Sequence, residues 1–107
     1  MSFDLKVRMK NIKKDHVPIA DGETLTIEWK ISLQGKCRIF FIHEITELSY
    51  GEEAEAYIDA EDFQRYKELL WVGKLLLVTN DKFAVAEVEV LEFRGSFNGR
   101  NTEESTR

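Results

Sequence analysis

Cys37 and His43 pair a potential nucleophile with a potential base on one segment, the sole cysteine with one of two histidines. An imidazole activates a thiol by taking its proton across a hydrogen bond, so the two groups must touch. They lie six positions apart in a stretch that reads as extended, and at ~3.3 Å per residue the separation is roughly 20 Å. No dyad is expected from them. Cys37 reads instead as a small core residue, the usual behaviour of a free cysteine. His16 falls in a loop and reads as solvated. Glu87 and Glu89 share one strand face, ~6–7 Å apart, a spacing compatible with paired-carboxylate catalysis. No neighbouring group is identifiable that would drive their pKa values apart, and alternating glutamates are ordinary on an exposed sheet face. Two histidines without regular spacing to each other or to a carboxylate triad make no recognisable ligand set. No catalytic residue, cofactor or metal is expected, and the chain is read as a non-enzyme. Tyr66, Trp71 and Trp29 could form an aromatic platform; the preferred reading makes Trp29 core and has Trp71 anchor a helix end to the barrel.

The elements that position these residues follow from periodicity. Residues 3–9 alternate Phe3, Leu5, Val7 and Met9 with Asp4, Lys6 and Arg8, a strand with one buried face. Residues 23–33 repeat the pattern with Leu25, Ile27, Trp29, Ile31 and Leu33 inward. Between them "NIKKDHVPIADG" holds the single proline and an Asp21-Gly22 turn signal, so the link is a loop. Gln34-Gly35-Lys36 turns the chain into a third strand, residues 37–48. There "RIFFI" is apolar on both faces, Ile39 and Phe41 on one and Phe40 and Ile42 on the other. "EEAEAYI" is a fourth strand with a glutamate face. Asp59 and Asp62 resemble a capping pair, and Phe63, Tyr66, Leu69 and Leu70 recur at helical spacing up to Gly73. Residues 75–79 and 83–93 form a hairpin whose tip is Asn80-Asp81. In the last strand Ala84, Ala86, Val88 and Val90 face inward, whereas Leu91 and Phe93 fall on the side of Glu87 and Glu89. A bulge near Val90 would restore the parity. The fold class expected is mainly β, an antiparallel Greek-key-type barrel of about six strands with one short helix. A single domain spans residues 1–93, and residues 94–107 read as a disordered tail.

Composition agrees with one small domain: 107 residues, 43% hydrophobic, with formal net charge -5. One cysteine excludes an internal disulfide. No apolar run approaches the ~20 residues needed to span a bilayer, and the N-terminus lacks a signal-peptide core, so a cytoplasmic location and no membrane partner are expected. Residues 1–50 carry eight Lys/Arg against seven Asp/Glu, and residues 51–107 carry seven against thirteen. That balance argues against direct nucleic-acid binding, which depends on basic groups displacing phosphate counterions. The basic run Lys6, Arg8, Lys10, Lys13 and Lys14 reads as the solvated face of the first strand and its turn.

"GEEAEAYIDA" followed by "WVGKLLLVTNDKFAVAEVEVLEF" resembles the C-terminal β-barrel domain of translation elongation factor Tu, where a Gly-acid strand leads to a final hairpin of the same lengths. That family usually has arginine at the start of the hairpin, arginine before its turn, glycine in the turn and threonine after it. Leu75, Thr79, Asp81 and Ala84 stand at those places, so the resemblance implies the fold and transfers no functional residue. It covers residues 51–93. No Gly-rich loop ends in Gly-Lys-Ser/Thr, so nothing here would cradle a nucleotide.

The function expected is that of a monomeric, non-enzymatic protein-binding module. A small acidic domain without catalytic groups suits an inhibitor or immunity-type protein whose charge steers it to a basic toxin or nuclease. The expected interface takes Phe40 and Ile42 as anchors, with Glu44, Glu87 and Glu89 as polar rim. The alternative is a stand-alone accessory protein of translation related to the elongation-factor barrel.

Overall fold

The computed structural model describes residues 3–15 and 17–95. His16 and residues 96–107, including nearly all of the expected tail, lie outside the described residues.

Among the described residues eight strands form in chain order: β1 (Leu5–Asn11), β2 (Ile19–Ala20), β3 (Thr24–Lys30), β4 (Leu33–Phe41), β5 (Glu47–Leu48), β6 (Glu53–Ala60), β7 (Leu75–Thr79) and β8 (Ala84–Phe93). Six of them close an antiparallel barrel in the order β1-β6-β4-β3-β7-β8, with β8 returning to β1. The remaining two, β2 and β5, make a separate ribbon. One short helix, α1 (Phe63–Tyr66), continues into a 3₁₀ turn at Lys67–Leu69. Alternation dictates the core: Leu5, Val7 and Met9 meet Ile58, Ala56 and Ala54 across one ladder and Phe93, Val90 and Val88 across the other.

The bulge expected near Val90 is present. Val7 lies opposite Val90 and Lys6 opposite Glu92, so Leu91 is the extra residue of β8 and Phe93 returns to the core side. A second irregularity pairs Val78 with Ala86 and Thr79 with Ala84. Val85 is the extra residue there; it is fully buried beside Ala86, and Ala84 is left half-buried rather than inward.

Several expected boundaries move. The β3–β4 turn sits at Ile31-Ser32, where Ser32 has φ 70, and not at Gln34–Lys36. Ile31 is therefore 86% exposed instead of inward. Gly35 belongs to β4 because Trp29 and Asp62 press on it: an added Cβ would lie 3.0 Å from Asp62 Oδ2 and 3.3 Å from Trp29 Nε1. The third strand does not run to residue 48. It ends at Phe41, His43 and Glu44 take φ of 66 and 60, and the chain re-enters extended structure only at Glu47. The loop before β3 contributes β2, whose Ile19 pairs with Leu48, both buried across the barrel mouth. The helix is one turn long, with no side-chain hydrogen bond at its N-cap Asp62.

The β7–β8 connection is also looser than the expected two-residue turn. Neither Asn80 nor Asp81 takes a positive φ. The loop is closed by Asn80, whose backbone N–H donates to the Phe83 carbonyl at 3.0 Å. Its side-chain Oδ1 accepts from the N–H groups of Lys82 at 2.8 Å and Phe83 at 3.0 Å. The Asn side chain thus stands in for a backbone turn. Asn80→Ala should lower stability by about 1–2 kcal/mol, the worth of two such bonds. Asp81→Gly should cost less than about 1 kcal/mol, because glycine gains nothing at negative φ and loses entropy. Urea midpoints at constant slope decide it, and a larger loss for Asp81→Gly would contradict this closure of the loop.

Candidate functional site

The outer wall of the barrel explains where the basic run goes. β1 points Lys6, Arg8 and Lys10 outward, and both neighbouring strands set acids against them. Arg8 lies opposite Glu55 on β6 and Glu89 on β8, and Lys10 opposite Glu53 and Glu87. Arg8 meets Glu89 at 3.3 Å and Lys6 meets Glu55 at 3.9 Å. Opposite charges directly across a ladder are favourable, although each exposed pair contributes under about 1 kcal/mol. The basic row is the middle of a three-row charge ladder, and Glu87 and Glu89 are its outer row.

The five residues expected at an interface do not converge. Phe40 points out from β4, as alternation requires, but is half-buried. It is not the helix that covers it. Phe3 lies 5.3 Å from its ring, the Arg38 guanidinium sits 5.1 Å from its centroid, and Phe3 also stacks on Tyr57 at 4.7 Å. Ile42 is half-buried just past β4, its N–H donating to the Glu55 carbonyl at 3.1 Å. Glu44 is exposed on the left-handed turn. Glu87 and Glu89 are three strands away around the barrel, on the far side of β6 and β1.

The wall is largely occupied by its own pairings, which leaves the two barrel ends. One carries the segments 12–23, 42–52 and 80–83; the other carries 3–4, 31–32, 61–74 and 94–95. On the first, Asn11 is fully buried and fully bonded: Nδ2 donates to the Leu48 carbonyl at 2.9 Å, and Oδ1 accepts from Lys13 N–H at 3.0 Å. Gly51 N–H donates to the Asn11 carbonyl at 2.9 Å. These bonds fix a turn in which Glu52 N–H donates to Ser49 and Gly51 has φ 85, so that Tyr50 stands at the tip, 54% exposed. Glu44, Glu47, Glu52 and Glu53 are exposed nearby in sequence. Residues 39–64 hold eight carboxylates and no Lys or Arg.

At the other end Trp71 is 60% exposed, which overturns its expected anchoring role. The buried anchors are Phe63 and Leu70, while Tyr66 lies 6.0 Å from the Trp29 ring. Trp71 begins a turn closed by Lys74 N–H donating to its carbonyl, with Gly73 at φ 97, and that turn directs the indole away from the core. Sequence reasoning missed both tips, although each has the signature of a bulky side chain one or two places before a glycine.

Cys37 is buried inside the barrel, and burial pushes its thiol up from 9.0 to about 12, with a backbone hydrogen bond at Leu25 acting the other way. His43 is exposed on the turn beyond β4. Among the described residues no group of three or more His, Cys, Asp or Glu could hold a metal ion. No protein-family model and no curated protein matches the chain. What the structure shows is a closed six-stranded antiparallel barrel, and no family assignment goes with it.

A thiol raised by burial is protonated at neutral pH and inert, since the thiolate is the reactive form. Iodoacetamide at pH 8 should leave folded Cys37 unmodified and alkylate it only as urea unfolds the chain. Because the folded value lies above the unfolded one, the stability linked to this thiol is complete below about pH 9 and declines as pH rises toward 12. Rapid alkylation of the native protein would contradict its enclosure.

Proposed function

We propose that this protein is a monomeric, non-enzymatic binding module that captures a basic protein surface with its acidic end. One observation carries the reading: exposed carboxylates from a cation-free stretch of 26 residues lie along the segment that presents Tyr50 on a rigid turn. A central aromatic within a charged rim is the arrangement in which a few residues dominate binding energy. Glu44 keeps its expected place in the rim. Phe40, already packed by Phe3 and Arg38, serves the wall. The net charge of -5 supports fast capture of a basic partner by long-range attraction, the chemistry of an inhibitor or immunity-type protein set against a toxin or nuclease.

A second reading, an accessory protein of translation, is favoured by the final hairpin β7–β8 within a closed six-stranded barrel, as the resemblance implies. It rests on fold, which hosts many functions.

Photo-crosslinking from position 50, with p-benzoylphenylalanine replacing Tyr50, separates the two in cells. The expected product is one basic protein, lost when Glu44→Lys and Glu47→Lys are combined. With that partner purified, Tyr50→Ala should weaken binding by roughly 2 kcal/mol or more, the hot-spot range, and affinity should fall as salt rises. A ribosomal product would support the second reading. No product at all would overturn the acidic end as the binding face.

A further inference from the structure

The cap over the end opposite Tyr50 begins as a continuation of the β4–β6 ladder. Arg38 lies opposite Asp59 and Cys37 opposite Ala60, and Glu61 N–H extends the pairing one step by donating to the Lys36 carbonyl at 2.9 Å. The next pair in that register is Gly35 with Asp62. Cys37 and Ala60 face the core, so alternation turns Asp62, two places beyond Ala60, to the same side. A carboxylate thus enters the mouth of the lumen. There it meets Trp29, a fully buried side chain whose Nε1 has no hydrogen-bond acceptor among the described residues. The two groups converge over Gly35: the point where a Cβ would stand lies 3.0 Å from Asp62 Oδ2 and 3.3 Å from Trp29 Nε1. Asp62 is half-buried, and its carboxylate makes no hydrogen bond or ion pair among the described residues. The N–H groups of Arg65 and Tyr66 donate instead to its backbone carbonyl, at 3.1 and 3.2 Å.

We propose that Asp62 is the acceptor of the Trp29 indole N–H, and that this bond latches the cap onto the barrel. An indole nitrogen only donates and an ionised carboxylate only accepts, so each supplies what the other lacks. A buried donor left alone is costly, and a hydrogen bond to a charged acceptor is the stronger kind. The bond closes by a turn about the Asp62 side-chain torsions or through one bridging water, since both atoms already face a single point. The surroundings offer the indole no competing carboxylate. Glu28, its neighbour on β3, takes the Gln34 amide at 3.4 Å on the outer face, and Tyr66 lays its ring 6.0 Å from that of Trp29. Nor is Asp62 claimed by the nearest cation of the cap, because the Arg65 guanidinium sits 5.7 Å from the centre of the Tyr66 ring. Gly35 is the condition for the latch: a methyl group there would press on both partners and drive the carboxylate out. The largest fully buried side chain of the lumen is thereby joined to the residue on which the cap begins.

The chain has two tryptophans, so a proton–nitrogen correlation spectrum holds two indole cross-peaks, and Trp71→Phe assigns the one from Trp29. In the intact protein at neutral pH the Trp29 indole proton is expected downfield and slow to exchange with solvent. Asp62→Ala should move it upfield and speed its exchange about tenfold or more, as loss of a bond to a charged group allows. Asp62→Asn keeps an acceptor oxygen in place and should retain most of the shift. Gly35→Ala should reproduce the effect of Asp62→Ala although the carboxylate is still present; should that variant fail to fold, the two Asp62 variants decide alone. A Trp29 cross-peak that is unchanged in Asp62→Ala overturns the proposal. Asp62→Asn losing as much as Asp62→Ala overturns the bond in favour of a field effect of the charge. None of these outcomes bears on crosslinking from position 50, so the two proposals fail independently.

Discussion

A barrel closes only if its last strand presents the same inward set to its first strand as to its penultimate one, and here that condition rests on Leu91. Without an extra residue, the side of β8 that holds Ala86, Val88 and Val90 would carry Glu92 into the seam and Phe93 out to water. The bulge shifts the parity by one, so Phe93 pairs with Leu5 while Glu92 stays outside beside Lys6. Register in a strand with one buried face is all or nothing, because a one-residue slip moves every side chain to the wrong side. The charge ladder outside depends on the same alignment. Arg8 can lie between Glu55 and Glu89 because β1 is held in register by Val7 against Ala56 and Val90. Apolar burial sets the alignment; the exposed ion pairs follow it and add little of their own.

The same constraint explains which residues the interior takes. Trp29, Ile39 and Ile58 fill the lumen only because Gly35, Ala54, Ala56, Ala60 and Ala86 leave them room. Small and large residues must alternate around so narrow a barrel. The wall is then committed on both sides, to core within and to its own partners without, and distinctive surface chemistry is displaced to the ends. The carboxylate excess goes with it: the end with segments 12–23, 42–52 and 80–83 carries seven Asp or Glu against three Lys, whereas the opposite end, 3–4, 31–32, 61–74 and 94–95, carries four acids against four bases.

The strands were legible because period two is a strong signal wherever one face is buried, as in residues 3–9 and in the run from Leu25 to Trp29. Even the bulge was legible, since a parity conflict within one strand has few solutions. The turns were not. Gly35 looked like the pivot of a hairpin, yet its lack of a side chain serves the close approach of Trp29, and the turn uses Ser32 at positive φ. His43 and Glu44 break the third strand in the same region of backbone space, which histidine favours only weakly and glutamate does not advertise. Where a bulky residue sits near a turn, sequence cannot say whether the turn aims it inward or out; Leu70 went in and Trp71 went out, one position apart. The expected interface failed to assemble for a related reason. Alternation correctly sent Phe40 outward but could not reveal that Phe3, two residues before β1, lies against it.

The two ends also differ in how they are held, and the difference follows from polar satisfaction. Asn11 is a buried amide with both of its functions bonded, which ties β1, the Leu48 carbonyl and the turn below Tyr50 into one unit. Such a network rigidifies what it joins, because breaking any member strands a buried polar group. The cap at the other end is tied by other bonds: Gly73 N–H donates to the Val90 carbonyl at 2.7 Å, Glu61 N–H to the Lys36 carbonyl at 2.9 Å, and Lys74 Nζ to the Leu69 carbonyl at 2.7 Å. The Trp29 indole N–H is buried without an acceptor, and Asp62, which shares the space over Gly35 with it, makes no side-chain capping bond to α1. A single helical turn is too short to persist by its own hydrogen bonds, so it stays because Phe63 and Leu70 are buried beneath it. The two ends are therefore held differently: a buried amide network lies beneath Tyr50, and apolar burial of Phe63 and Leu70 together with backbone bonds holds the cap that carries Trp71.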